Sequence, residues 1–154
     1  MGQALINIKK RLIKMKIISF EEKYRDDMIF MVLSAKNALG RIPKLNEDLL
    51  DIKKYYFDKN QPFWIALDEF DRVIGCIGTK MKDEKIFLSR LYVKFDCKRQ
   101  GIGSKLLELA ENSARNRGYE EIYVHIGRDY LESQLFYPKH GYIEYKELYM
   151  KKKL

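Results

Sequence analysis

Apolar residues recur at three- and four-residue steps between Glu21 and Leu39, where Tyr24, Met28, Met31, Val32 and Ala35 share one side of a helix and Gly40 supplies a stop. Asn46 followed by Glu47, Asp48 and Leu49 reads as a second helix start, with Leu50, Lys53 and Phe57 continuing the period. The pattern then turns β-rich at Phe63 to Leu67, Val73 to Met81 and Ile86 to Phe95. Polar breaks at 68–72 and 82–84 make these runs an antiparallel meander, preceded by a first strand over Lys16 to Phe20. A third helix over 102–117 places Leu106, Leu107, Leu109, Ala110 and Ala114 inward and ends at Gly118. Glu121 to Ile126 is again a strand, so this helix crosses between two parallel strands. Asp129 and Glu132 are spaced as a capping box for a fourth helix with Leu131, Leu135 and Phe136 inward. Tyr142 to Met150 closes the pattern as a last strand.

The chain is thus a single α+β domain of 154 residues, and 46% apolar content is enough to bury a core. No apolar run approaches the roughly 20 residues that span a bilayer, and the N-terminus lacks a signal-type apolar stretch; stable membrane insertion is not expected and the location expected is cytoplasmic. Two cysteines, Cys76 and Cys97, are too few for a disulfide framework. Neither has a Cys or His partner at metal-ligand spacing, so no metal is expected either. Cys97 beside Lys98 and Arg99 reads first as a small apolar filler and second as an activated thiol.

The net charge of +8 invites a nucleic-acid reading, but its distribution argues otherwise. Seven of the eight excess charges lie within residues 1–14 (Lys9, Lys10, Arg11, Lys14) and 151–154 (Lys151, Lys152, Lys153). These read as solvated tails on a nearly neutral body, so no nucleic-acid partner is expected. Residues 1–14 also space Leu5, Ile8 and Leu12 as a short amphipathic helix, a basic extension to a domain of residues 15–154; a leader, or a start at Met15, reads equally well.

The strongest chemical signal is Lys98-Arg99-Gln100-Gly101-Ile102-Gly103-Ser104, which joins a strand to a helix. Gly101 accepts left-handed backbone geometry, and a new helix offers unpaired N–H groups at its positive end, so the segment is built to hold an anion. A dinucleotide fingerprint would need glycine at 106, where Leu stands, and the G-x-x-x-x-G-K-[ST] phosphate loop is absent.

The run LSRLYVKFDCKRQGIGSKLLELA, with LFYPKHGYIEY after it, resembles the GNAT superfamily of N-acetyltransferases from about Met15 onward. Two separated motifs stand in the family's order. The resemblance implies a mostly antiparallel twisted sheet of six to seven strands, with the fourth and fifth parallel and about four flanking helices. It implies acetyl-CoA as cosubstrate, with the pyrophosphate on Lys98, Arg99, Gln100, Gly101, Ile102, Gly103 and Ser104 and the pantetheine beside Leu91, Tyr92 and Val93. Tyr137 stands at the family's tyrosine acid, with a core aromatic as its other reading.

Two departures accompany the resemblance. Lys98 replaces the usual Gln or Arg, and Pro138 is expected to end or kink the helix at Tyr137. Where the family often carries a glutamate on its fourth strand, this chain has Ser89 and Arg90. His125 is then a candidate base or water relay, or simply structural, while Asp96 reads as a turn residue. The acceptor implied is a small-molecule or peptide amine, protein lysine included, and a homodimer is left open. An active acetyltransferase is ranked ahead of an acyl-CoA-binding module without turnover, and both ahead of a protein using its basic tails on nucleic acid or membrane.

Overall fold

The computed structural model describes residues 14–154; the basic amphipathic segment expected over residues 1–14 therefore lies outside the described residues except for Lys14. Seven strands form one sheet: β1 (Met15–Ser19), β2 (Phe63–Asp68), β3 (Val73–Lys82), β4 (Lys85–Val93), β5 (Glu121–His125), β6 (Ile143–Lys146) and β7 (Tyr149–Lys153), in spatial order β1-β2-β3-β4-β5-β7-β6. Every neighbouring pair is antiparallel except β4 and β5, which are parallel, as the crossover through the third helix requires. The helices are α1 (Arg25–Ala38), α2 (Ile52–Tyr55), α3 (Ile102–Asn116) and α4 (Leu131–Lys139).

Strand alternation sends side chains to opposite faces, and each face has its own core. On one, Ile74, Ile86, Leu88, Ile122 and Val124 meet Ile102, Leu106, Leu107, Ala110 and Ala114 of α3. On the other, Phe63, Ile65 and Leu67 meet Met28, Met31 and Val32 of α1 with Leu49, Ile52 and Tyr56. Leu106 and Ile65 are fully buried, and truncating either to Ala would cost about 2–5 kcal/mol.

Several sequence expectations change. The second helix is two 3-10 turns, Glu47–Leu50 and Phe57–Lys59, flanking one short α turn, and Asn46 does not cap it. Its side chain instead accepts from the buried Lys36 Nζ at 2.6 Å, which also donates to the Lys44 carbonyl; burial lowers the pKa of that amine. The expected strand to Phe95 stops at Val93, before a 3-10 turn at Phe95–Cys97. Asp129 and Glu132 make no capping box, because Glu132 is drawn away by Arg41. Leu131 and Leu135 are not inward but 67% and 66% exposed; α4 turns Phe136 and Tyr137 toward α3 instead, leaving those leucines on its outer side. Pro138 does not end the helix, which continues to Lys139.

The closing strand is a hairpin, split by Leu148 in left-handed geometry (φ 66°). Its second arm takes in Lys151, Lys152 and Lys153, so these are not a solvated tail. Lys151 pairs with Glu121, and Lys152 reaches the buried Glu111, which also accepts from the Tyr142 hydroxyl at 2.7 Å. Chain order obscures this, because β7 sits between β5 and β6.

Candidate functional site

Two local irregularities in the sheet shape the site. The register between β3 and β4 slips, from Gly78 opposite Ser89 to Cys76 opposite Tyr92, so that Arg90 and Leu91 together oppose Ile77. This is a bulge, and Arg90 sits in it at φ 57°. The parallel strands β4 and β5 register at Phe87 and Tyr123, beyond which β4 runs on to Val93 without a β5 partner in that register. The two strands splay, leaving main-chain groups of β4 at the edge of a gap.

The expected site residues converge on this gap. Leu91, Tyr92, Val93, Lys98, Arg99, Gly101, Ile102, Gly103, Ser104 and Tyr137 line one cavity of about 390 Å³, while Gln100 of the loop is not in its wall. A second cavity of about 260 Å³ lies between Ser89, Arg90 and β5, with His125 and Gly127 in its wall. Leu91, Tyr92, Tyr130, Ser133 and Tyr137 belong to both walls and mark where the two meet.

At the loop, Arg99 and Gly101 take positive φ (66° and 77°), and Gly101 is the residue from which α3 starts. Left-handed residues in such a loop turn N–H groups to one side, and the first turn of α3 adds its own unpaired donors and positive dipole end. Gly103 faces the cavity: a Cβ there would touch Phe136 and Val93 at 3.5 Å. Ser104 Oγ lies 2.9 Å from His140 Nε2, whose Nδ1 lies 2.8 Å from the Phe136 carbonyl. Because that carbonyl only accepts, Nδ1 carries a proton to it, and in the neutral ring Nε2 accepts from the serine.

Tyr137 sits in the last turn of α4, ring against Phe136 and Tyr142 at 5.2 and 5.3 Å. Burial pushes its phenol pKa well above the usual tyrosine value, and the hydroxyl has no hydrogen-bond partner among the described residues. It holds a proton and is uncommitted. Burial likewise raises the Cys76 thiol to about 12 and Cys97 to about 11, so neither suits a nucleophile. His125 is exposed and stacked on Tyr149 at 4.4 Å. Asp96 is exposed and lies 3.8 Å from Lys94, in the 3-10 turn.

Two groups of residues escaped the sequence reading. Arg41, just past the end of α1, reaches across to α4: its Nη2 donates to the Glu132 carboxylate at 2.8 and 2.9 Å and to the Asp129 carbonyl at 3.0 Å, and its guanidinium covers the Tyr130 ring at 3.6 Å. Asp48, which read only as part of a helix start, is buried against the bulge. It accepts from Tyr56, Lys80 and Arg90. Burial works to raise its pKa, but the hydrogen bonds from Arg90, Tyr56 and Lys80 outweigh this and hold it at about 2. Neither group has a spacing signature, since the ion pairs in both join residues far apart in the chain.

A mixed sheet with one parallel pair, a cavity beside that pair and a glycine-bearing loop heading the crossover helix together make up the architecture of the site. Residues 23–142 match the family model for the GNAT acetyltransferases, and the chain belongs to that family. It is similar to the Xenopus laevis protein named probable N-acetyltransferase camello, 41% identical over 81 residues, 49% of this chain and 36% of the relative. It is also similar to human N-acetyltransferase 8, 28% identical over 102 residues, 62% of this chain and 44% of the relative. The chain therefore spans less than half the length of either. Among solved structures, a Staphylococcus aureus Mu50 GNAT acetyltransferase superposes with a TM-score of 0.82 at 22% identity, covering 92% of this chain and 99% of the other. The PaiA N-acetyltransferase of Thermoplasma acidophilum, solved in complex with coenzyme A, superposes with a TM-score of 0.69 at 22% identity, covering 92% and 99%. The seven-stranded sheet with its parallel β4–β5 pair is the fold these share.

Proposed function

We propose that residues 15–154 form an acetyltransferase domain that moves an acetyl group from acetyl-CoA to a primary amine by direct attack in a ternary complex. One observation carries this reading: the glycine loop at the head of α3, the end of β4 at Leu91, Tyr92 and Val93, and the uncommitted Tyr137 phenol all line one cavity. Main-chain N–H groups of residues 99–104 would hold the pyrophosphate, with Lys98 and Arg99 adding charge. The β4 edge at Leu91, Tyr92 and Val93 would take the pantetheine as a further strand, and an N–H there would polarise the thioester carbonyl. As the amine nitrogen bonds to the carbonyl carbon and the carbon–sulfur bond breaks, Tyr137 would protonate the departing thiolate. The proton lost by the amine would pass to water, directly or by way of His125 in the second cavity's wall, since Asp48 is committed to its cations. The acceptor would enter through that second cavity. The relatives named as N-acetyltransferases and the PaiA complex with coenzyme A support the reading.

Calorimetric titration with acetyl-CoA, followed by a thiol-release assay over a panel of amines, tests it. Saturable binding with amine-dependent thiol release is expected, and absence of binding overturns it. Binding without release would favour a second reading, an acyl-CoA-binding module, to which the locked Asp48 lends support.

A further inference from the structure

Arg90 is an unusual residue to find at φ 57°, since a side chain with a Cβ is strained in left-handed geometry and glycine is the ordinary solution at such a bulge. The surrounding contacts fix it from three directions. Its guanidinium is held by Asp48, with Nε at 3.2 and 3.1 Å from the two carboxylate oxygens and Nη2 at 3.0 Å. Its carbonyl accepts from the Cys76 thiol at 3.2 Å. Its neighbour Ser89 lies 2.9 Å from the Tyr56 hydroxyl, which spends its single proton on Asp48 at 2.6 Å, so the serine must be the donor.

The direction of the next peptide follows. In a trans peptide the C=O and N–H point opposite ways. The Arg90 carbonyl is turned toward the Cys76 sulfur, which packs on the α1 face of the sheet, so the N–H of Leu91 in the same peptide unit points away from that thiol, and Leu91 itself lines both cavities where they meet.

We propose that Asp48 is a positioning residue for acyl transfer: by gripping the Arg90 side chain it holds the bulge in its left-handed turn and so aims the Leu91 N–H at the thioester carbonyl. This rests on the acetyl-transfer reading above and adds to it a residue 42 positions away from Arg90 in sequence. Lys80, 3.0 Å from Asp48, keeps the carboxylate charged and in place.

The role is backbone geometry, so glycine should substitute for the clamp. Asp48→Asn is expected to lower kcat by about a hundredfold, the scale for a reacting group misplaced by an ångström, while leaving the KM for acetyl-CoA within a few-fold. Arg90→Gly, which needs no clamp to stay left-handed, should retain roughly ten times more kcat than Arg90→Ala, and the same order should hold in the Asp48→Asn background. Arg90→Gly leaves Asp48 its Lys80 and Tyr56 partners, so this comparison stands even where Asp48→Asn fails to fold. Glycine and alanine variants of equal activity would overturn the proposal. A binding readout separates it from the acetyl-transfer reading: in the ¹⁵N-labelled full chain titrated with acetyl-CoA, the Leu91 amide should move downfield in wild type and Arg90→Gly but not in Arg90→Ala. A Leu91 amide that does not move overturns the positioning role. A wild-type Leu91 shift without thiol release counts against transfer and leaves the positioning role supported.

Discussion

Arg41 and Glu132 join the end of α1 to the first turn of α4 through a guanidinium nitrogen lying 2.8 and 2.9 Å from the two carboxylate oxygens. The pair spans the wall of the larger cavity, and Arg41 Nε is buried there without a hydrogen-bond partner among the described residues. Glu132 is more than a third exposed, so solvent screening should limit the stability loss in Glu132→Ala to about 1 kcal/mol. Acetyl-CoA affinity should fall more than stability does, because Arg41 in the cavity wall loses its tie to α4. Thermal unfolding set beside calorimetric titration checks both, and a variant with unchanged affinity would count against a role for this tie.

Gly103→Asp is expected to abolish acetyl-CoA binding while the fold survives. Its Cβ would sit in ordinary contact with Val93 and Phe136, so the backbone tolerates it, but a carboxylate would then occupy an anion site. At Gly101 a Cβ would meet nothing within 4 Å, yet the φ of 77° means that Gly101→Ala should cost about 1 kcal/mol through strain alone. Circular dichroism and titration separate the two effects.

Tyr137→Phe should bind acetyl-CoA normally and lose on the order of a hundredfold in kcat, the usual scale for a positioned acid. Burial raises the phenol pKa, so the donating form persists across neutral and mildly alkaline pH. The pH profile of kcat should therefore show no downward limb from this group below about pH 10, the unperturbed tyrosine value. Such a limb, missing in Tyr137→Phe, would contradict the assignment of its environment.

Asp48 links stability to acid. Its folded pKa, about 2, lies below the ordinary aspartate value, so its stabilising contribution is complete above that ordinary value and is lost as pH falls toward about 2. Urea unfolding followed between about pH 5 and pH 2 should show this loss in wild type and a flatter dependence in Asp48→Asn.

Much of this architecture was legible beforehand. The period of α3, its stop at Gly118 and the glycine loop before it are local features, and the crossover they imply put β4 and β5 parallel. What was hidden depends on long-range pairing. Asp48 beside Glu47 has the signature of a helix start, and only the folded sheet brings Arg90 and Lys80 to it. Leu131 and Leu135 carry the right apolar spacing for a core face, but α4 offers Phe136 and Tyr137 to α3 and the leucines face outward. The β6–β7 turn lacks the Gly or Asn that usually marks left-handed geometry, and Leu148 takes it instead.

The order β5-β7-β6 has a consequence for how the chain is made. β6 precedes β7 in synthesis yet lies at the far edge of the sheet, where β7 is its neighbour. While residues 149–153 are still inside the ribosome, β6 has no seat and β5 presents a bare edge beside α3. This half of the sheet therefore closes only after residues 149–153 emerge, when β7 can take its place between β5 and β6 and Glu111 can receive Lys152.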